Sequence, residues 1–303
     1  MEIIKAKVTN ILLDKYVLKD LKNGNEFSGI LRGNIKKSSN LVVGDVVECE
    51  KSYDKYMINK ILPRTNFVIR PPVANIDQMI IVLSIDNPSP DYVLLDKELI
   101  LCKSKNITPV ICINKMDLAE DDIPKKHLEY IKRVYGNLNI DIIYVSADKK
   151  EGLDSLYEIL KNKTSAFSGN SGVGKSSLTK VLLNKTKDYD IEVGQIGKKT
   201  KRGKHTTKHV KLYELSKDTY LFDTPGFSSY ELYDIEYREL KNYYDEFKKC
   251  HCEYDDCNHV IETSKVCDVK RNVEKGIIDK DRYERYVYLF TRQKQIDDKK
   301  YKR

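Results

Sequence analysis

The segment Gly169-Asn170-Ser171-Gly172-Val173-Gly174-Lys175-Ser176 has the spacing G-x-x-x-x-G-K-[ST]. Glycines there let successive backbone N–H groups turn inward as a nest for phosphate oxygens. Lys175 supplies a point charge between the β- and γ-phosphates, and the Ser176 hydroxyl can ligate Mg²⁺. Ser177 and the apolar residues after it begin a helix whose N-terminal dipole also favours an anion. A strand-like stretch over residues 164–168 precedes the loop, which is the context this motif requires.

A second group of residues specifies the base. Asn114-Lys115-Met116-Asp117 follows an apolar strand, and its aspartate can accept both N–H groups on the guanine edge. Adenine has no matching donors, so the carboxylate would be left unpaired at a cost. Asn114 and the Lys115 stem hold the loop and base, with Met116 between them and Asp117. Val145-Ser146-Ala147, after the next strand, suits the companion loop whose backbone N–H meets the guanine oxygen. Asp223-Thr224-Pro225-Gly226 fits D-x-x-G, with Asp223 reaching Mg²⁺ through water and the Gly226 N–H sensing the γ-phosphate. Residues 198–207 occupy the place of a first switch loop, where Thr207, or its neighbour Thr206, closes on Mg²⁺. These four segments at strand ends indicate GTP binding. The guanine-reading motif precedes the phosphate loop, the reverse of the common order, so the chain runs from the second switch straight into its C-terminal region.

Phe227 stands where many GTPases place a water-orienting glutamine. Either a partner accelerates hydrolysis or another residue substitutes. His205 is the catalytic candidate beside Lys175 and Thr207, and contact with RNA phosphates is its competing role. Transfer of phosphate to a small acceptor is disfavoured, because the base-reading motif selects guanine and no acceptor pocket is legible.

Cys250, His251, Cys252, Cys257, His259 and Cys267 cluster near the C-terminus. Three thiolates and one imidazole make a tetrahedral structural zinc site. Cys252, Cys257, His259 and Cys267 are the expected ligands, with Cys250 or His251 able to replace a neighbour.

The elements that must position these groups fall into three regions. Residues 3–8, 11–18, 26–32, 41–50 and 56–62 read as short strands separated by turns, which suits an OB-type β-barrel. Pro71-Pro72 reads as a linker. Strand patterns at 78–85, 108–113, 141–145 and 219–222 alternate with helical spacing at 92–104 and 124–135, indicating an α/β domain with a mostly parallel sheet. From about residue 235 strands cease, and Tyr283, Tyr286, Val287 and Phe290 recur at helical spacing as a packing face. The expected boundaries are 1–65, 66–234 and 235–303. With 33% charged and 40% apolar residues, the chain has the composition of a soluble globular protein. Its net charge of +8 favours an anionic partner such as RNA only if the charge is clustered. No segment reads as a signal peptide or membrane span, so a cytoplasmic protein with reduced cysteines and no membrane partner is expected.

Taken together, these motifs resemble the ribosome small subunit-dependent GTPase A (RsgA) family of circularly permuted GTPases. The resemblance includes residues 70–78, Leu95-Asp96-Lys97, the 113–118 loop, residues 169–178, Lys204-His205-Thr206-Thr207, residues 223–227 and Cys257-Asn258-His259. It implies an N-terminal OB barrel, a central permuted P-loop GTPase domain and a mainly α zinc-binding C-terminal domain. It further implies a monomer that binds the small ribosomal subunit and its rRNA late in assembly, with GTP hydrolysis stimulated by that particle. Zinc on Cys252, Cys257, His259 and Cys267 and Mg²⁺ with GTP are the implied cofactors. The loop from His259 to Cys267 is longer than the family's usual spacing, which is tolerable because closure entropy grows slowly with length.

Overall fold

Two kinds of β-structure share one backbone network in the computed structural model, which describes residues 3–12, 15–33, 40–53, 55–187, 210–223, 232 and 234–301. The first is a barrel. β1 (Ile3–Leu12) pairs antiparallel with both β2 (Lys15–Asp20) and β4 (Val46–Ser52). β3 (Glu26–Leu31) pairs with β2 and runs parallel to β5 (Lys55–Ile61), which returns to β4 and closes the ring. This OB-type closure buries Ala6, Val8, Leu18, Val47, Cys49 and Ile58. The expected break after residue 8 is instead a bulge within β1. There Thr9 is buried, and its hydroxyl donates to the Val17 carbonyl at 3.3 Å, so a polar residue is carried inside the strand.

Pro71-Pro72 is not a linker. β6 (Phe67–Ile69) and β7 (Pro72–Ala74) form a hairpin that bridges back to Val43 of the barrel. Gly44 makes that approach possible. A Cβ there would lie 2.1 Å from the Ala74 carbonyl and 2.8 Å from Phe222, and its φ is +93°. The predicted strand over 41–50 accordingly starts only at Val46, because residues 42–45 are committed to this turn.

The second structure is an open sheet in the order β10-β9-β8-β11-β13-β12. β8 (Gln78–Ser84), β9 (Thr108–Asn114), β10 (Asp141–Tyr144), β11 (Thr164–Ser168) and β13 (Thr219–Asp223) are parallel, and β12 (Lys211–Ser216) is antiparallel. Every residue of β8 and β11 is buried, as expected of strands covered on both faces. Met79, Ile81 and Leu83 pack with α1 (Tyr92–Ser104) and α2 (Asp122–Tyr135), whereas Ile80 and Val82 pack with α3 (Leu153–Leu160) and α4 (Lys175–Lys187). That alternation is the period-2 geometry of a strand. The β1–β12 pairing joins barrel to sheet, and Lys7 Nζ donates to Thr164 Oγ1 at 2.9 Å across the junction.

The C-terminal region consists of short 3₁₀ turns, α5 (Asp268–Glu274) and α6 (Lys280–Tyr301). Tyr286 and Phe290 are buried with Tyr244, Phe247, Cys257 and Cys267, and Tyr283 and Val287 pack against them, so these side chains form a packing face. α1 is covered on two sides. Leu95 and Leu99 enter the sheet core, while Ile100 belongs to the C-terminal core. A helix buried nearly all round must also internalise its polar residues, and Asp96, Lys97 and Glu98 are all buried. Among the described residues, no helix is long and apolar enough to cross a membrane.

Candidate nucleotide site and metal centre

Loops at the carboxyl ends of β8, β9, β10 and β11 converge, the place where open α/β sheets bind ligands. Asn114, the last residue of β9, is buried and holds two other loops. Its Nδ2 donates to the Val173 carbonyl at 2.8 Å, and its Oδ1 accepts from the Ala147 N–H at 3.1 Å. One side chain thus fixes the spacing between the base loop, the companion loop and the phosphate loop. Ser146 donates through its hydroxyl to Asp117 Oδ1 and accepts from the Lys149 N–H at 3.0 Å, which aims the exposed carboxylate. Met116 N–H is held by the Val145 carbonyl at 3.1 Å. Lys115 adopts φ 65° and donates to the Asn87 carbonyl.

In the phosphate loop, Gly169 has φ +121° and faces the Val82 carbonyl, where a Cβ would lie 2.2 Å away. Gly172, at φ +83°, stands opposite Pro88. Val173 is buried in the core and anchors the loop, while Ser171, Ser176 and Ser177 are exposed. Lys175 Nζ donates to the Gly169 and Asn170 carbonyls, both at 2.6 Å. Burial lowers the pKa of Lys175, and Glu98 opposes that shift. Asn170 Nδ2 reaches Asp91, the N-cap of α1, at 3.3 Å.

Gly174 has the tightest requirement. Its φ is +101°, and a Cβ would fall 2.1 Å from Asn114 Nδ2. Gly174→Ala would both strain the backbone and push Asn114 off Val173. With about 1–3 kcal/mol for such strain, guanine-nucleotide affinity should fall roughly 5- to 150-fold. Titration with a fluorescent GDP analogue checks this, and unchanged affinity would refute the contact's importance.

Several expected site residues lie outside the described residues: His205, Thr206, Thr207, Gly226 and Phe227, together with the Asp223 side chain. The Asp223 backbone ends β13, paired with Lys211. Asn87, Pro88, Asp91 and Glu98 were not singled out from sequence. The Asn87-Pro88 pair and the Asp91 N-cap were the available signals, but their contacts with the base loop (Asn87) and the phosphate loop (Pro88 and Asp91) are long-range.

Ligand atoms of Cys252, Cys257, His259 and Cys267 all lie within 4.8 Å of one another. Metal–sulfur and metal–nitrogen bonds of about 2.3 and 2.0 Å imply tetrahedral edges of about 3.8 Å between sulfurs and 3.5 Å from sulfur to nitrogen. The three sulfurs stand 3.5, 3.3 and 3.5 Å from His259 Nδ1, and Cys252 and Cys267 are 3.9 Å apart. The residues therefore fit a tetrahedral metal. Burial lowers His259 to about 4, with Lys241 adding to the effect and Glu262 opposing it, so the imidazole is neutral near pH 7. Burial raises the Cys257 and Cys267 thiols, a cost that a divalent cation offsets. Cys250 is turned away, accepting from Asn272 at 3.2 Å, and the His251 N–H binds Asp268. The His259–Cys267 loop is tied by Glu262, which accepts from the Asn258 and Val260 N–H groups at 2.9 Å.

Comparison with known proteins agrees with this geometry. The family model described as RsgA GTPase matches residues 61–233. A relative from Ruminiclostridium cellulolyticum, named small ribosomal subunit biogenesis GTPase RsgA, is 37% identical, covering 95% of this chain and 93% of its own. The crystal structure of YjeQ from Thermotoga maritima superposes with a TM-score of 0.82 at 34% identity, covering 96% of this chain and 99% of that one. YloQ, described as a circularly permuted GTPase, gives 0.77 at 32% identity, covering 97% and 96%. With a guanine loop that precedes its phosphate loop and locks onto it through Asn114, the chain belongs to the RsgA GTPase family and is a circularly permuted GTPase.

Proposed function

We propose that the protein acts in biogenesis of the small ribosomal subunit, binding that particle and its rRNA late in maturation and leaving it on GTP hydrolysis. The observation that carries the nucleotide half is the pair of Asn114 hydrogen bonds, which joins all three nucleotide loops. The ribosomal half rests on the names of relatives that align over nearly the whole chain.

In this reading Asp117 accepts the guanine N–H groups, Ser146 aims it, and the Ala147 region meets the guanine oxygen. Residues 169–174 cradle the phosphates, and Ser176 and Ser177 stand at the head of α4 where its dipole points. Lys175 exchanges its carbonyl partners for β- and γ-phosphate oxygens. Ser176 and Thr207 would hold Mg²⁺, with Asp223 in its outer sphere and the Gly226 N–H at the γ-phosphate. Bound Mg²⁺ would neutralise charge on the phosphates. The metal at Cys252, Cys257, His259 and Cys267 is assigned as structural zinc, because four protein donors leave no open position. The protein is read as a cytoplasmic monomer with units at 1–65, 66–234 and 235–303.

GTP turnover measured with and without purified small subunits tests the proposal; equal rates at physiological salt would reject it. His205→Ala separates the two roles of that residue. Loss of particle-stimulated turnover by about 10²–10⁴-fold fits a proton-transfer role. Unchanged turnover with weakened particle binding assigns His205 to RNA, and uniformly low turnover favours a GTP-gated adaptor, the alternative raised by Phe227.

A further inference from the structure

Glu98 is buried beneath the phosphate loop. It lies on α1 yet faces β11, where the Ser168 hydroxyl donates to its Oε1, while Oε2 is enclosed with no hydrogen-bond partner among the described residues. Ser168 immediately precedes Gly169, so the carboxyl bears on the residue from which the loop springs. Among the described residues, the charged and titratable groups that act on it are few. Lys175 at the head of α4 attracts its anion, the Gly169 backbone favours it, and Asp91 at the start of α1 repels it; Cys102 lies further along the same helix.

We propose that Glu98 is a positioning residue of the phosphate loop that must be neutral for tight nucleotide binding, so that phosphate binding and Glu98 protonation are linked. The inference rests on the phosphate-loop reading above. Lys175 is the shared element. An ionised Glu98 competes with nucleotide phosphates for the field of this ammonium and adds a buried like charge beside them. A neutral carboxyl leaves Lys175 free for phosphate while Ser168 stays hydrogen-bonded. Burial raises Glu98 to about 8, against the opposing effects of Ser168, Lys175 and Gly169, and Asp91 adds to the rise. The transition therefore falls in an accessible pH range. Phosphate anions beside Lys175 raise it further in the complex. By linkage, affinity is full where free Glu98 is protonated and falls as pH passes the free-protein value, by at most about tenfold per pH unit.

The experiment measures GDP dissociation constants for full-length protein and Glu98→Gln between pH 6.5 and 9.5. Each pH is read as the ratio of the two proteins, which cancels titration of the nucleotide itself. Glutamine keeps the shape and stays neutral. The expected ratio is flat below about pH 7 and moves at least threefold against the wild type by pH 9. Ser168→Ala is the second variant. It removes a hydrogen bond that favours the anion, so its inflection should move to higher pH. Calorimetry at pH 8 in buffers of different ionisation enthalpy should show net proton uptake on GDP binding by wild type and less by Glu98→Gln. Parallel affinity profiles, or equal proton uptake in the two proteins, would overturn the role of Glu98 alone. Failure of wild type to bind GDP at any pH would overturn the phosphate-loop reading and this inference with it.

Discussion

Chelation of the metal should unfold the C-terminal region while leaving the nucleotide loops folded. Cys257 and Cys267 are not surface ligands; both are buried within the same core as Tyr244, Phe247, Tyr286 and Leu289. The Phe247 ring stands edge-on to His259 with centroids 5.4 Å apart, so metal geometry and aromatic packing share a wall. Structural zinc contributes an apparent binding free energy of about 10–16 kcal/mol in small zinc domains, which exceeds what a core of this size supplies by itself. Protein as purified should carry one equivalent of zinc by elemental analysis. After a strong chelator, amide exchange should rise in the 240–247 and 280–290 segments, whereas β8, β9 and the 114–117 loop should keep their protection. Cys257→Ser should reproduce the effect. A metal-free protein with unchanged exchange in α6 would reject a structural role for the cluster.

Asp96→Ala should destabilise the docking of the C-terminal region by about 3–5 kcal/mol, the cost of leaving buried charges without their partner. Asp96 is wholly enclosed on α1, and two arginines of α6 converge on it. Arg285 Nε donates at 2.6 Å, Arg282 Nη1 donates to the other oxygen, and the Tyr135 hydroxyl of α2 donates at 2.9 Å. Arg282 also pairs with Glu246, and Arg285 reaches the Tyr130 and Tyr135 hydroxyls at 2.6 and 2.9 Å. Burial is the largest single effect and works against the charge on both arginines, but Asp96 acting together with the surrounding tyrosine hydroxyls, and with Glu246 at Arg282, holds their pKa values above the ordinary guanidinium range. A guanidinium keeps its proton in proteins even without a partner, so neither arginine can shed its charge when the carboxylate is removed. Several packed units make a single unfolding free energy ill-defined, so the readout is local. Exchange protection across 282–290 and resistance of the 234–250 segment to proteolysis should both fall in Asp96→Ala. Equal protection in mutant and wild type would show that apolar packing alone docks this region.

This cluster shows where sequence reasoning stops. Leu95-Asp96-Lys97 was visible as part of a family resemblance, but Asp96 lies far along the chain from Arg282 and Arg285, and no local spacing pairs it with them. Glu98 is a similar case. On periodicity alone it reads as an ordinary polar residue of a helix, and only coverage of α1 on two sides explains its burial. Helix α3 and strand β12 were also not read, the first because it is short and the second because its alternation is weak. The Pro71-Pro72 linker became a hairpin because Val73 finds a partner in Val43, a contact that depends on Gly44 in a distant turn.

The chemistry legible in the residues alone is that whose donors lie close along the chain. The phosphate loop, the guanine-reading loop and the Cys/His cluster each need residue types at short, fixed separations, because backbone nests, strand-end loops and tetrahedral sites are small. The parallel sheet was also legible, since strands covered on both faces, such as β8 and β9, read as near-continuous apolar runs. How those parts bear on one another depends on the fold. It places Asn114 against Val173, Glu98 under Ser168 and Asp96 between two arginines of the last helix. A buried polar group is tolerated only when another group satisfies it, and that partner is chosen by the fold in space rather than by proximity along the chain.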